Sequence, residues 1–181
     1  MKDLRRIKPN NEGITLVELI VVILIMSIVS AGAVIGISTV YNARVDNAAK
    51  RLETMILYAR ETAMANAGKE TKLTVSVESG DLLAKVFVGD ASEPVETEKL
   101  GSDAILVDFY LTADGRDPSE GAAAKTPVAV TEGHDVTLVF DQSSGGIKAE
   151  ATGTYTDVNL RGSESINLIL IPENGRVVRS E

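Results

Sequence analysis

The sequence predicts an α+β protein in which one long N-terminal helix packs on a β-rich globular head. Two observations support this fold class. Uncharged residues run from Leu19 to Ala43, and no glycine or proline interrupts residues 37–67, so one helix can continue through both stretches. After Lys69 the chain changes to short alternating segments separated by turn residues, which is typical of β-strands.

The charge is distributed unevenly along the chain. Residues 1–13 carry four basic and two acidic side chains, a net charge of +2, and form a short basic leader. Residues 69–181 carry ten basic and twenty acidic side chains, a net charge of −10. An acidic head repels phosphate backbones, so we do not expect it to bind nucleic acid. The chain has no cysteine, which excludes disulfides, thiolate catalysis and cysteine-based zinc sites.

Residues 14–43 contain the apolar run, which is long enough to form a transmembrane helix. The run from Leu19 to Ala43 has 25 residues. At ~1.5 Å per helical residue it covers a bilayer core of ~30 Å. A secretory signal peptide is the alternative, because Ala31-Gly32-Ala33 fits a signal peptidase cleavage site. Four basic residues stand on each side of the run, so charge does not decide its orientation.

Glu18 is an acidic residue at the head of this apolar run. A carboxylate deep in a membrane helix costs ~2.5–3.5 kcal/mol, and such a residue usually has a partner. No basic residue stands at helical spacing from Glu18. If the chain were cut after Gly13, the new α-amine of Ile14 would be cationic near neutral pH and could pair with the Glu18 of a neighbouring copy. Alternatively, Glu18 lies at the level of the lipid headgroups and needs no partner.

The stretch "EGITLVELIVVILIMSIVSAG", residues 12–32, resembles the N-terminal segment of type IV pilins and pseudopilins. The resemblance implies that a prepilin peptidase cuts after Gly13 and methylates the new N-terminus at Ile14. It also implies that Glu18 is the acid that pairs with a neighbouring subunit during filament assembly. Family members most often have Phe where this chain has Ile14, a variant that the family tolerates.

The same resemblance implies a location and a set of partners. A pilin precursor is held in the cytoplasmic membrane by its helix, in contact with lipid, and its head is extracytoplasmic. Its partners are the prepilin peptidase, other pilins or pseudopilins that pack through the N-terminal helix, and an inner-membrane assembly platform. The resemblance is equally compatible with a filament that serves secretion, a pilus or DNA uptake.

Gly32 and Gly36 are spaced as a G-x-x-x-G motif within the apolar run. This spacing lets two membrane helices approach closely, so both glycines are candidate helix-packing residues. Small residues are common in membrane helices, and the spacing also occurs without such a role.

Residues 44–68 are predicted to form an amphipathic stem that continues the helix. Apolar residues recur close to the helical period, at Val45, Ala48, Ala49, Leu52, Ile56, Ala59 and Ala63. We expect this face to pack on the following sheet. Gly68 is a plausible C-terminal stop.

Residues 69–181 are predicted to form the β-rich head. Residues 72–88 are typical of a hairpin, and Asn174-Gly175 predicts a tight turn between the last two strands. The remaining predicted strands are 104–111, 135–141, 154–160, 166–171 and 176–179, and the segment from Thr112 to Pro127 is predicted to be a long loop.

The head also resembles the GspH/FimT subgroup of minor pseudopilins. The resemblance is carried by "LYARETAMANAG", "DVTLVFDQSSGG" and "INLILIPENGRVV". It implies a head of two packed β-sheets, and it does not extend over residues 89–130.

No catalytic constellation is apparent in the sequence. The single histidine, His134, stands at a turn before a strand, where we expect a solvated side chain. Asp114, Asp117 and Glu120 crowd one loop, but their order does not match a calcium-binding loop, so we expect no metal. We therefore expect a protein without cofactor that is not an enzyme. A secreted β-domain released by signal peptidase near Ala33, acting as a binding module, is the alternative function.

Overall fold

The computed structural model describes residues 15–66, 68–112, 126–149, 153–162 and 164–180, without the side chains of residues 31–42. The chain divides into two compact units, residues 1–39 and 40–181. Within the described parts, helix α1 is followed by nine strands. Their bounds are α1 Leu16–Ala65, β1 Thr71–Glu78, β2 Asp81–Val88, β3 Glu96–Ser102, β4 Leu106–Thr112, β5 Thr126–Val130, β6 Val136–Phe140, β7 Thr154–Arg161, β8 Ser165–Ile171 and β9 Arg176–Arg179.

In the first unit, the described residues from Leu16 onward are helical. Two serines within this apolar stretch satisfy their hydroxyls on the helix itself. Ser27 Oγ donates to the carbonyl of Ile23 at 2.8 Å, and Ser30 Oγ donates to the carbonyl of Met26 at 2.7 Å. Such bonds to the preceding turn let a serine stand in an apolar helix without an unpaired donor.

In the second unit, the stem part of α1 buries the face that the sequence predicts. All seven predicted apolar positions are buried: Val45, Ala48, Ala49, Leu52, Ile56, Ala59 and Ala63. The helix ends at Ala65, three residues before the predicted end of the stem. Gly68 has a φ of 91°, which a residue with a side chain rarely adopts, and it lies in the turn that leads to β1.

Sheet A has the strand order β3-β2-β1-β6 and is antiparallel. The predicted hairpin is confirmed, with β1 and β2 in register from Thr71–Val88 to Glu78–Asp81. Ser79 and Gly80 both have positive φ, 52° and 82°. Positive φ at both central residues is the requirement of the two-residue turn that matches the twist of a hairpin.

Sheet B has the strand order β5-β4-β7-β8-β9 and is also antiparallel. Gly175, with a φ of 63°, lies in the turn between β8 and β9, which confirms the predicted tight turn at Asn174-Gly175. The predicted α+β class, with a helix packed on a head of two antiparallel sheets, is therefore confirmed.

One apolar core joins the stem to both sheets. It includes Leu52 and Ile56 from α1, Leu73 from sheet A and Phe109 from sheet B, all fully buried. Phe109 meets Tyr155 edge to face with ring centroids 5.7 Å apart. Full burial of one large apolar side chain contributes ~1.5–3 kcal/mol, so these contacts account for the attachment of the stem to the sheets.

Two strands were not predicted, and both lie at sheet edges. Strand β3 is charged and β5 contains Pro127, so neither has a strong strand signal. Proline is tolerated in an edge strand because it removes a donor where no partner strand stands. The predicted loop therefore ends before Thr126 rather than at Pro127. Its residues 113–125, including Asp114, Asp117 and Glu120, lie outside the described residues.

Candidate functional site

The start of α1 is built around Thr15, which immediately precedes the helix. Its Oγ1 accepts a hydrogen bond from the N–H of Glu18 at 3.2 Å, and its carbonyl accepts one from the N–H of Leu19 at 3.2 Å. These two bonds define Thr15 as the N-cap of the helix. The sequence analysis missed this role, although threonine followed three residues later by glutamate is the signature of a capping box.

Glu18 occupies the third position of the helix, within its first turn. An anion in the first turn is stabilised by the helix dipole, typically by ~0.3–1 kcal/mol at an exposed position. The side chain is exposed, and no hydrogen bond or ion pair joins its carboxylate to another described residue. Within the described residues, the carboxylate thus lies exposed in the first turn of a capped helix.

The helix around Glu18 presents an exposed apolar surface. Leu16 is 77% exposed and Leu19 is 51% exposed. The other large apolar side chains of this stretch are exposed as well: Val17, Ile20, Val21, Val22, Ile23, Leu24, Ile25, Met26, Ile28 and Val29. Contiguous apolar surface of this kind marks a site of contact with protein or membrane.

The structure brings together only part of the predicted site. Gly13 and Ile14 lie outside the described residues. Gly32 and Gly36 lie within α1, as does the alternative cleavage site Ala31-Gly32-Ala33. The local geometry is therefore that of a capped helix start with one carboxylate followed by apolar side chains.

Comparison with protein families finds a known sequence motif that includes the start of α1. Residues 8–34 match the prokaryotic N-terminal methylation motif. The match supports a type IV pilin-like protein that is processed by a prepilin peptidase and assembles with other pilins. No curated protein and no solved structure matches the chain. Among the residues that the structure describes, no helix combines the length and the apolar character needed to cross a membrane.

The lysines of sheet A, and Lys148 beside that sheet, are paired with carboxylates. In β1 and β2 they alternate with buried apolar residues and so lie on the face that points away from the core. Four lysines form ion pairs of 2.5–3.4 Å with nearby acids: Lys72 and Lys148 with Glu70, Lys85 with Glu78, and Lys99 with Asp81. These pairs reduce the positive potential that a phosphate backbone would require.

A single carboxylate organises the turn after β6. Asp141 Oδ1 accepts hydrogen bonds from the hydroxyl of Ser143 at 2.5 Å, from the Ser143 N–H at 2.9 Å and from the Ser144 N–H at 3.1 Å. These bonds, with the Ser143 hydroxyl first among them, lower the pKa of Asp141 from its ordinary 3.8 to about 2. The "DQSS" stretch is thus a turn held by hydrogen bonds from its own backbone N–H groups and serine side chain to the Asp141 carboxylate.

The same turn packs directly on the turn between β8 and β9, backbone against backbone. A methyl group added to Gly146 would lie 2.5 Å from the carbonyl oxygen of Pro172. Arg60 connects the stem to the turn between β8 and β9, because its Nε donates a hydrogen bond to the carbonyl of Asn174 at 2.7 Å. The motifs "DQSSGG" and "PENG" therefore join the end of the stem to both sheets, a contact between distant segments that sequence patterns do not indicate.

Two further features of the head bear on a candidate site: a histidine that the sequence analysis considered and a surface groove that it did not. His134 is exposed, and its backbone pairs with Thr131 in the turn before β6, which confirms a solvated histidine at a turn. A surface groove of ≈ 580 Å³ lies beside the end of the stem and is lined by Tyr58, Glu61, Thr62, Ala65, Asn66, Lys69, Val88 and Val95. Within the described residues, no group of histidine or acidic side chains is arranged to hold a metal ion.

Proposed function

We propose that this chain is a minor pilin or pseudopilin subunit of a type IV pilus or of a type II secretion-like filament. The observation that carries the proposal is Glu18, the lone carboxylate at a capped helix start whose following side chains are apolar and exposed. The match of residues 8–34 to the methylation motif supports the same interpretation.

In this proposal a prepilin peptidase cuts after Gly13 and methylates the new N-terminus, Ile14. A free α-amine titrates near pH ~7.7–8.0, so it carries a positive charge at neutral pH. The amine of one subunit pairs with the Glu18 carboxylate of its neighbour, which sets the register between two subunits. A hydrogen bond between charged groups contributes ~1.5–3 kcal/mol, so the pair discriminates strongly between correct and shifted packing.

The apolar segment contributes to assembly through helix packing, whereas Glu18 contributes through its charge. Residues 14–43 hold the precursor in the cytoplasmic membrane, and an inner-membrane platform transfers it into a filament. There the apolar side chains that follow Glu18 exchange contacts with lipid for contacts with the helices of other subunits. Close packing and hydrogen bonds, rather than hydrophobic transfer, then decide the affinity between helices.

The head is proposed to face outward, to lie in the extracytoplasmic space and to contact neighbouring subunits, without enzymatic activity or a cofactor. Its two antiparallel sheets support the finer assignment to a GspH/FimT-like minor pseudopilin. Its net charge of −10 and the ion-paired lysines on and beside sheet A make it unsuited to nucleic acid.

Mass spectrometry of the mature protein tests the proposal. A methylated N-terminus at Ile14 supports it, whereas a start between residues 32 and 35 supports the alternative, a secreted binding module released near Ala33. Persistence of residues 1–13 in the mature protein refutes both. The cleavage site of the alternative lies inside continuous helix α1, which is an unfavourable setting for proteolysis.

Substitution of Glu18 tests the assembly role. Glu18→Ala and Glu18→Gln should be processed normally and remain in the membrane, but enter filaments about tenfold less than the native protein, because each removes the negative charge. Ser30→Ala is the matched control, since the Ser30 hydroxyl is already satisfied within its own helix. Normal incorporation of Glu18→Gln would remove the proposed pairing.

A further inference from the structure

We infer that strand β9, Arg176–Arg179, is a docking edge to which a partner protein adds an extended acidic segment as a further strand of sheet B. The inference goes beyond the proposed function because it assigns a partner site to the head. It depends neither on cleavage of the chain nor on the N-terminal segment.

The other edges of the two sheets are protected. In sheet A, Arg51 Nη1 donates a hydrogen bond to the Lys99 carbonyl of edge strand β3 at 2.8 Å. At the opposite edge, the segment after β6 covers that strand, since the Lys148 N–H donates to the Val139 carbonyl at 2.8 Å. In sheet B, edge strand β5 contains Pro127. Charged side chains, covering segments and proline all discourage an edge from pairing with another chain.

The main chain of β9 is open on the side away from β8. The Ser180 N–H donates to the Asn167 carbonyl at 3.0 Å and so continues the ladder between β8 and β9. Because the direction of hydrogen bonding alternates along an antiparallel strand, Val178 also faces β8, whereas the N–H and C=O groups of Val177 and Arg179 point away from it. Within the described residues, no hydrogen bond is made to these outward groups.

The charge of β9 indicates the chemistry of its partner. The strand consists of two arginines and two valines, although the head has a net charge of −10. Arg179 is already engaged, since its Nη2 donates to Asp46 of the stem at 2.6 Å. Arg176 is exposed, and its side chain forms no ion pair with another described residue. An incoming strand with carboxylates is therefore favoured, whereas pairing of β9 with the β9 of a second copy would oppose like charges.

The faces of β9 set the pattern that the partner must match. Val177 is in register with the buried Leu170 and packs against the core. Arg176 and Val178 lie on the opposite face, where Val178 is 44% exposed. Successive side chains of a strand point to opposite faces, so the partner would alternate apolar residues beside Val177 with acidic residues beside Arg176. Main-chain bonds and alternating side chains of this kind are the basis of strand addition.

The experiment measures the binding of a fluorescent peptide of alternating valine and glutamate to the full-length chain in a non-ionic detergent, by fluorescence anisotropy. We expect saturable binding to the native chain. The corresponding valine–lysine peptide should bind about tenfold more weakly because its charge is reversed. The valine–glutamate peptide with every amide N-methylated should lose as much, because it keeps its charge but donates no main-chain hydrogen bond. Absence of saturable binding, or equal binding of the three peptides, would overturn the inference.

Two variants of β9 and one control locate the site. Arg176→Glu should weaken binding by about tenfold, since repulsion replaces attraction. Val177→Pro removes an N–H that points away from β8, so it should block the edge without breaking the ladder. Lys69→Glu changes the net charge equally at an exposed position before β1 and should bind as the native chain does. Native affinity in both β9 variants, or an equal loss in Lys69→Glu, would contradict the assigned site.

Circular dichroism shows whether each variant folds. If Val177→Pro does not, the N-methylated peptide gives the same test from the side of the partner. Hydrogen exchange supplies a second readout, in which the amides of Val177 and Arg179 should exchange more slowly when the peptide is bound. The amide of Val178 should change less because it already bonds to β8. Unchanged exchange at Val177 and Arg179 in the complex would refute strand addition.

Two other occupants of β9 are outcomes of the same experiment. If a single-stranded thymidine oligonucleotide binds in place of the peptide, and Arg176→Glu abolishes its binding, the arginines recognise phosphate and the inference is wrong. If the full-length chain forms a dimer that Val177→Pro abolishes, and the peptide does not bind, the occupant is a second copy and the acidic partner is excluded.

Discussion

The close approach of two turns at Gly146 gives a sharp quantitative prediction for the stability of the head. A methyl group at Gly146 would lie 2.5 Å from the carbonyl oxygen of Pro172 and 2.8 Å from that of Glu173. Both atoms belong to backbone, so no side-chain rotation relieves the contact. Non-bonded heavy atoms are attracted to one another at ~3.5–4.0 Å, and in Gly146→Ala the turns must therefore separate by roughly 1 Å.

This separation has a cost that can be worked from the structure. The hydrogen bond from the Ile147 N–H to the Pro172 carbonyl, 2.7 Å long, spans the same gap and would be weakened or lost. Such a bond contributes ~0.5–1.5 kcal/mol, and overpacking costs ~1–3 kcal/mol. We expect Gly146→Ala to lower the free energy of unfolding by about 2–4 kcal/mol, and the melting temperature by ~2–4 °C for each kcal/mol.

A matched glycine separates steric contact from backbone strain. Gly133 has a φ of 81° and no atom within 4 Å of an added methyl group, whereas Gly146 does not have a positive φ. Gly133→Ala should thus cost only the ~1–2 kcal/mol of a left-handed residue with a side chain. Thermal unfolding of the full chain in mild detergent, followed by circular dichroism, compares the two. A Gly146→Ala variant as stable as the native protein would refute the close packing of the turns.

Three further predictions concern the stem and the turn after β6. Ile56→Ala should destabilise the protein by ~2–5 kcal/mol because Ile56 is fully buried, whereas substitution of the exposed neighbour, Leu57→Ala, should change the free energy of unfolding by ~0.5 kcal/mol or less. Urea unfolding of both variants measures the difference, and equal effects would contradict the assigned stem face. The pKa of Asp141 is lower in the folded state, about 2, than its ordinary 3.8, so the contribution of Asp141 to stability is complete above pH ~4 and is lost as the pH falls toward 2. Unfolding curves measured at a series of pH values should show this loss of stability, and Asp141→Asn should show a smaller loss. Arg60→Ala should accelerate hydrogen exchange at the β8–β9 turn because the bond to Asn174 is lost, whereas unchanged exchange there would show that Arg60 does not hold the turn.

The parts of the fold that could be predicted are those whose signals are local. The buried face of the stem follows from helical periodicity, and the two hairpin turns at Gly80 and Gly175 follow from turn residues that tolerate positive φ. Strands β3 and β5 escaped prediction because an edge strand has one unpaired side and tolerates charge or proline there. The two segments are strands because they pair with β2 and β4, respectively.

In the candidate functional site too, features with a local sequence signal could be predicted and contacts between distant segments could not. Glu18 could be found from sequence because one charge in an apolar run is conspicuous, and Thr15 could have been found from the spacing of a capping box. The contact of Gly146 with Pro172 could not, since the two residues are 26 positions apart and nothing in either segment indicates its partner. Only the folded head brings them together.

The self-bonded hydroxyls of Ser27 and Ser30 have a mechanical consequence for the N-terminal segment. Each serine hydroxyl already donates a hydrogen bond to a carbonyl of the preceding helical turn. Moving this stretch from one apolar environment to another therefore breaks no hydrogen bond at either serine. Resistance to such a movement then comes from the shapes of the apolar side chains, and Glu18 is the one charged side chain among residues 16–30.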